Sequence, residues 1–468
     1  YKYFINCSMS IKPSIPKGTR DFLPTDFAKF SYVKNIIEEH FKNYGYVEIK
    51  TPSFEKTQTL SGKYGDDGEK LIFHILNSGE KLKKFDKSAF NSNNLLDFRN
   101  SISDKALRYD LTVPLARFIT QNQNEINFPF KRFQIENVWR ADRPQHGRYQ
   151  EFVQCDADVV GNIGPIAESE IINLVDDIFS SLKIKNLKLK INHREILNLI
   201  SVYVEEANKF KQLTISFDKI DKIGVNGVID ELINDGFSES AVDKIKTLLS
   251  FSGTNDEKFE FLKNLFKNQS LSDSCFNDLK STMDLVAKLK TIEIEFDFSL
   301  ARGLGYYTGI IFELVPPNGL DIGSIAGGGR YDNLTNNFGL KNISGVGISL
   351  GIDRICHVLE ILNLFPIKIF QSIDILVLNF GDSFLKELIQ HIQQWRKNNQ
   401  KVLVYPSNQK LKKQMQYANH VQAKWVVFFG ENEKNNDQLN FKNMITGKTI
   451  SYKFNEFNIS NFLNQEKC

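Results

Sequence analysis

Three arginines and a histidine, Arg140, Arg143, His146 and Arg148, fall within VWRADRPQHGRYQEF at residues 138–152, between two runs that alternate like β-strands. Planar guanidinium groups match phosphate oxygens in geometry as well as charge, so a hairpin tip of this kind suits a phosphate ligand. Surface ion pairs with Asp142 and Glu151 are the alternative, each worth little. Two later stretches repeat the chemistry. LARGLGYYTG, at 300–309, sets Arg302 beside Tyr306 and Tyr307 among three glycines. AGGGRYDNL, at 326–334, adds Gly327, Gly328 and Gly329 before Arg330 and Tyr331. Glycine lets the backbone approach a ligand closely or turn tightly.

The elements around these residues must hold them on one face. A two-residue period puts Arg132, Gln134, Glu136, Val138 and Arg140 on one side of the first strand and Phe133, Ile135 and Trp139 on the other. On the return strand the same period aligns Gln154, Asp156 and Asp158, and RYDLT predicts a third strand with Arg108, Asp110 and Thr112 in line. Three polar rows suggest an antiparallel sheet with an open face as a ligand platform; an ordinary wet sheet face is the alternative. Upstream, FAKFSYVKNIIEEHFKNYGY carries apolar residues at helical spacing and stops at Gly45, followed by a short strand closed by Pro52. Residues 165–183 read as an amphipathic helix, and 191–290 shift to a Lys-, Asp- and Ser-rich, glycine-poor composition, marking an inserted helical domain. From 372 on, apolar strand runs alternate with helical stretches, predicting a small, mostly parallel α/β module.

The chain has 468 residues, enough for two or three domains, and its 59 basic and 56 acidic side chains nearly cancel at +3. The balance is uneven: residues 372–468 hold 13 Lys and Arg against 8 Asp and Glu, leaving about −2 for the rest. A mildly basic tail fits phosphate contact, although a solvated lysine-rich face would look the same. Five scattered cysteines with no CxxC pair argue against a disulfide framework and against structural zinc, and no metal ligand set from the protein is identified. No apolar run reaches the roughly 18–20 residues of a membrane span, and YKYFINCSMS lacks a signal peptide's pattern, so a cytoplasmic protein is expected, with residues 1–15 an extension and Met9 a candidate start. TGKT at 446–449 fails the phosphate-loop spacing because Lys442 stands where the first glycine belongs. GVGISLG at 345–351 is not a dinucleotide fingerprint, and HRE at 193–195 lacks the cysteines of a zinc deaminase and reads as a helix start.

Taken together, FEKTQTLSGKYG at 54–65, VWRADRPQHGRYQEF, LARGLGYYTG, GGGRYDNL and GVGISLGIDR resemble, in order and spacing, the motifs of class II aminoacyl-tRNA synthetases, and specifically of the histidyl-tRNA synthetase family. The opening PKGTRDFLP, at 16–24, is similar to the family's N-terminal signature. The resemblance implies an α+β fold: an antiparallel-sheet catalytic domain in two parts (16–190 and 291–366) interrupted by the helical insertion (191–290), then an anticodon-binding α/β domain (372–468). It implies a histidine–tRNA ligase, with L-histidine and ATP as substrates, Mg²⁺ as cofactor, tRNA(His) as acceptor and a homodimer as the assembly. Carried over residue by residue, Arg140 and Arg302 would be catalytic at the ATP α-phosphate, with Arg354 at the terminal phosphates. Asp110, Leu111, Thr112, Gln154, Asp158, Tyr306 and Tyr307 would bind histidine. Arg143, Gln145 and Arg148 would touch the tRNA acceptor end. Gly305 departs from the acidic or amide residue of many members. The alternatives are a histidine-binding regulatory paralogue that partners ATP phosphoribosyltransferase, a class II synthetase of another specificity, and an RNA-binding protein without chemistry. The first of these tends to lack the arginines and the tail that this sequence keeps.

Overall fold

The computed structural model describes residues 12–62, 68–143, 149–161, 164–267, 272–301, 306–370, 373–459 and 462. It divides into two compact units: Phe30–Leu364 with the residues before Pro24, and the chain from Phe365 onward with Pro24–Lys29.

In the larger unit the strands run β1 (Val47–Glu48), β2 (Phe54–Lys56), β3 (His74–Ile75), β4 (Lys105–Leu107), β5 (Phe130–Trp139), β6 (Glu151–Val160), β7 (Leu187–His193), β8 (Ile292–Phe296), β9 (Ile310–Val315), β10 (Ala326–Tyr331) and β11 (Gly345–Gly351). Eight of them form one sheet in the order β1-β5-β6-β11-β10-β9-β7-β8, antiparallel from β5 to β7, with parallel pairs at both edges. The expected antiparallel platform is there. Cross-strand register makes its two faces unlike. One row runs Phe133, Ala157, Ile348, Gly328, Phe312 and Ile191. The next runs Gln134, Asp156, Ser349, Gly327 and Glu313 on the opposite face. The apolar face is covered by the helices Ile166–Ser181 and Ile352–Ile361, which pack on β11 and β6. Burying that face supplies the core, at about 25 cal/mol per Å² of apolar surface, and leaves the polar face free for ligands.

RYDLT corrects the sequence reading. Strand β4 ends at Leu107 and belongs to a separate three-stranded sheet, β2-β4-β3. Thr112 starts the helix Thr112–Gln121, with Pro114 in its first turn, where a missing N–H costs nothing. Asp110 sits just ahead of that helix, and its Oδ1 accepts the Val113 N–H at 3.1 Å.

The insertion is a crossover. Helices fill Arg194–Asp284 between the parallel neighbours β7 and β8, while residues 191–193 still belong to β7. His193 caps the first helix, Nδ1 accepting the Glu195 N–H at 3.1 Å, as the helix-start reading of HRE expected. The exit is fixed by buried Asp176, which accepts from the N–H groups of Lys290, Thr291 and Ile292 at 2.8, 2.8 and 3.1 Å.

The second unit holds β12 (Ile375–Val377), β13 (Val402–Val404), β14 (Trp425–Phe428), β15 (Gln438–Asn443) and β16 (Thr449–Lys453). The order is β13-β12-β14-β15-β16, and only the first three strands are parallel. The mostly parallel module expected from sequence is therefore half antiparallel. Helix Asp382–Lys397 buries Leu388, Ile392 and Trp395 at helical spacing against an aromatic core that includes Phe441 and Phe457. Lys410, Lys412 and Lys413 are exposed beside buried Gln414, whose amide is bonded on both sides to the Asn379 backbone at 2.8 Å.

Candidate active site

The polar face opens into a cavity of about 760 Å³. Of the residues expected at the site, Asp110, Thr112, Arg140, Gln154, Asp158, Tyr306, Tyr307 and Arg354 all line it. Leu111 does not; its side chain is fully buried in the core. Arg143 is exposed away from the cavity wall. Arg302, Gly305, Gln145 and Arg148 lie outside the described residues, as do residues 1–11 of the N-terminal extension.

The floor depends on missing side chains. Gly347 on β11 stands opposite Asp158, and a Cβ there would come within 2.0 Å of Asp158 Oδ1. Gly345 makes the same room for the Tyr331 ring, at 2.3 Å from such a Cβ. Because neither glycine carries a side chain, Asp158 reaches across β11, accepts the Tyr331 hydroxyl on Oδ1 at 2.7 Å and pairs through Oδ2 with Arg132 at 2.6 Å. Burial raises the Asp158 carboxyl above its ordinary value, against the pull of Arg132 and the Tyr331 hydrogen bond. Tyr306 packs at 4.9 Å from Tyr307 and edge-on to Tyr331, with its hydroxyl bonded to Thr112. A carboxylate and phenols on one small floor can recognise a flat heterocycle with N–H edges, since a site built to bond a polar edge rejects analogues lacking it.

The arginines stand around this floor. Arg140 lies over the Tyr109 and Phe152 rings at 4.4 and 5.2 Å, and its Nε donates to the Tyr109 carbonyl at 3.1 Å. Its Nη2 reaches Gln154 Oε1 at 3.5 Å, and the Gln154 amide donates to Ser349 Oγ at 3.0 Å. Stacking and hydrogen bonds fix the guanidinium plane before any ligand arrives. Arg354 enters from the helix after β11 and donates through Nη1 to the Ser324 carbonyl at 2.6 Å.

Several residues in and behind the cavity wall escaped the sequence reading. Arg20 pairs with Asp353 and stacks on Tyr149 at 4.1 Å and Phe22 at 4.3 Å. The turn before it accepts the Gln150 N–H on the Gly18 carbonyl at 2.8 Å, with Gly18 at φ 82° and too close to Gln150 Cγ for a Cβ. PKGTR thus braces Tyr149 and Gln150 at the hairpin base and the Arg354 helix from outside the sheet. Helices of the insertion add Arg194, Lys211, Lys219 and Lys222 to the wall. Asp156 occupies the middle of the floor. Its place on the polar row was visible; its burial was not.

Nucleotide-sized cavities on parallel sheets open at strand ends, whereas this one lies on the face of an antiparallel sheet. That is the architecture of the class II aminoacyl-tRNA synthetases. A family profile described as "Histidyl-tRNA synthetase" matches residues 89–355, and one described as "Anticodon binding domain" matches 374–460. The chain is 45% identical over 449 residues to a histidine–tRNA ligase of Christiangramia forsetii, covering 96% of this chain and 98% of that one. It is 45% identical over 466 residues to the same-named protein of Flavobacterium johnsoniae, with 95% and 98% covered. In fold it is similar to the histidyl-tRNA synthetase of Nostoc sp. PCC 7120, with a TM-score of 0.78 at 24% identity over 95% of this chain and 97% of that one. The chain belongs to the histidyl-tRNA synthetase family.

Proposed function

We propose that the cavity activates L-histidine with ATP and then passes the histidyl group to the 3′ end of tRNA(His). The observation that carries this reading is Arg140, fixed by stacking beside a floor of Gln154, Asp158, Tyr306 and Tyr307. Histidine lies on that floor with its imidazole toward Asp158 and the tyrosines and its α-ammonium toward Asp110 and Thr112. Its carboxylate then faces the ATP α-phosphate held by Arg140. A bond forms between carboxylate oxygen and α-phosphorus, the bond to the β-phosphate oxygen breaks, and pyrophosphate leaves past Arg354. A terminal ribose hydroxyl of the tRNA next attacks the activated carbonyl, and AMP departs. Little covalent chemistry falls to the protein: fixed guanidinium groups stabilise charge that moves across the α-phosphate. Arg302 serves the same phosphate by family resemblance.

Mg²⁺ belongs to the ATP in this reading and offsets phosphate charge when bound. Such an ion needs only one or two carboxylates beside phosphate oxygens. Asp142 and Asp353 line the cavity and could supply such carboxylates beside the nucleotide's phosphates. The acceptor end meets Arg143, Gln145 and Arg148, and the basic wall of Arg194, Lys211, Lys219 and Lys222 supports a polyanion's approach. The domain after residue 372 binds the anticodon stem, with exposed Lys410, Lys412 and Lys413 available to phosphates. Exposed Val47 and Phe54, on the short strands after the first helix, with Phe54 at the start of FEKTQTLSGKYG, support a homodimer through this segment. These substrates are cytoplasmic, and no described helix is long and apolar enough to cross a membrane.

The deciding measurement is histidine-dependent exchange of pyrophosphate into ATP on the purified protein, with the other amino acids as controls. Exchange with histidine alone is expected. Histidine binding without exchange would mark a regulatory paralogue instead.

A further inference from the structure

Strand β6 offers three ligand-type side chains in a row, and the reading above uses only the outer two. Between them Asp156 is 2% exposed on the cavity floor, in register with Gln134 on β5 and Ser349 on β11. Ser349 bonds its carboxyl, yet Oδ1 has no hydrogen-bond partner. A buried carboxyl oxygen with no donor is costly unless a ligand supplies one.

The surrounding charge says what that ligand carries. Facing Asp156 are Asp158 on its own strand, Asp110 ahead of the helix Thr112–Gln121, Arg132 on β5 and the phenol of Tyr306. Three carboxyls therefore share one guanidinium, which is already paired with Asp158. Burial keeps Tyr306 and Tyr331 protonated, so neither phenol changes the count. Burial, with the two carboxylates beside it, holds Asp156 at about 7 despite Arg132, so near neutral pH this carboxyl is partly protonated.

We propose that Asp156 is a third substrate-contacting carboxyl, which accepts an N–H of the bound histidine's α-ammonium on Oδ1 and releases its own proton to solvent as that charged group enters. The inference rests on the cavity being the histidine site. It makes histidine binding a cation-for-proton exchange: a ligand N–H fills the orphaned acceptor, and its positive charge replaces the lost proton.

Calorimetric titration of histidine into the full-length protein, in buffers of different ionisation enthalpy near pH 7, tests it. Wild type should release a fraction of a proton per histidine bound. Asp156→Asn should lose that release, bind histidine about tenfold more weakly or worse, and show a flatter pH profile of KM for histidine, with ATP affinity unchanged. A purely structural role would alter melting but not the proton count. Absence of proton exchange in wild type between about pH 6 and 8, or wild-type histidine affinity in Asp156→Asn, overturns the proposal. Asp158→Asn separates the layers: if it weakens histidine while Asp156→Asn does not, this inference alone fails, and if neither does, the cavity is not the histidine site.

Discussion

At the scale of single residues, the floor is set as much by absent atoms as by present ones. Gly347→Ala would bring a Cβ to 2.0 Å from Asp158 Oδ1 and 3.0 Å from the Ala157 carbonyl, so the carboxyl must leave Tyr331. We expect the variant to fold, destabilised by about 1–3 kcal/mol, with KM for histidine raised and ATP affinity kept; an unchanged KM in pyrophosphate exchange would remove Asp158 from the imidazole pocket. Asp156 has a stability consequence of its own. Its folded value, about 7, lies above its ordinary 3.8, so between the two the folded chain holds a proton that the unfolded chain has lost. Stability therefore falls as pH rises through that window, by an amount on the order of a few kcal/mol. Ligand-free Asp156→Asn should melt above wild type at pH 8 or so, the advantage shrinking toward pH 5 or so. Equal melting at both pH values would sink that account.

At the scale of elements, the alternation along β5 and β6 was legible because a strand half buried in a core must alternate. RYDLT shares that alternation and misled for the same reason. Side-chain period alone does not separate a strand from the start of a helix, and here Thr112 and Pro114 open the helix Thr112–Gln121. The brace formed by PKGTR was invisible for a different cause: Arg20 meets Asp353 across 333 positions, and no local pattern reports such a contact. Arg20→Ala should leave the sheet intact but loosen Tyr149 and the hairpin base. The expected result is a several-fold rise in KM for ATP with histidine affinity in the absence of ATP unchanged. Equal effects on both substrates would show that the brace supports the whole floor. The antiparallel strands β15 and β16 were missed because QLNFKN and TISYK mix polar with single apolar residues and lack the apolar runs that announced β12 and β14.

At the scale of the whole molecule, the two compact units lead us to expect separable tasks. Removing residues 372–468 should spare histidine-dependent pyrophosphate exchange while charging of tRNA falls steeply, and undiminished charging would deny that unit its RNA role. Affinity for tRNA should also drop with added salt, as counterion release requires. The alternation on β6 reaches further than catalysis. Gln154, Asp156 and Asp158 face the cavity while Cys155, Ala157 and Val159 face the core, so deleting one residue exchanges the two sets at a stroke. Descent can therefore alter this floor by replacing letters but not by changing its length. Insertions and deletions among relatives should gather in the connections, with the ten positions of Glu151–Val160 inherited as an ungapped block.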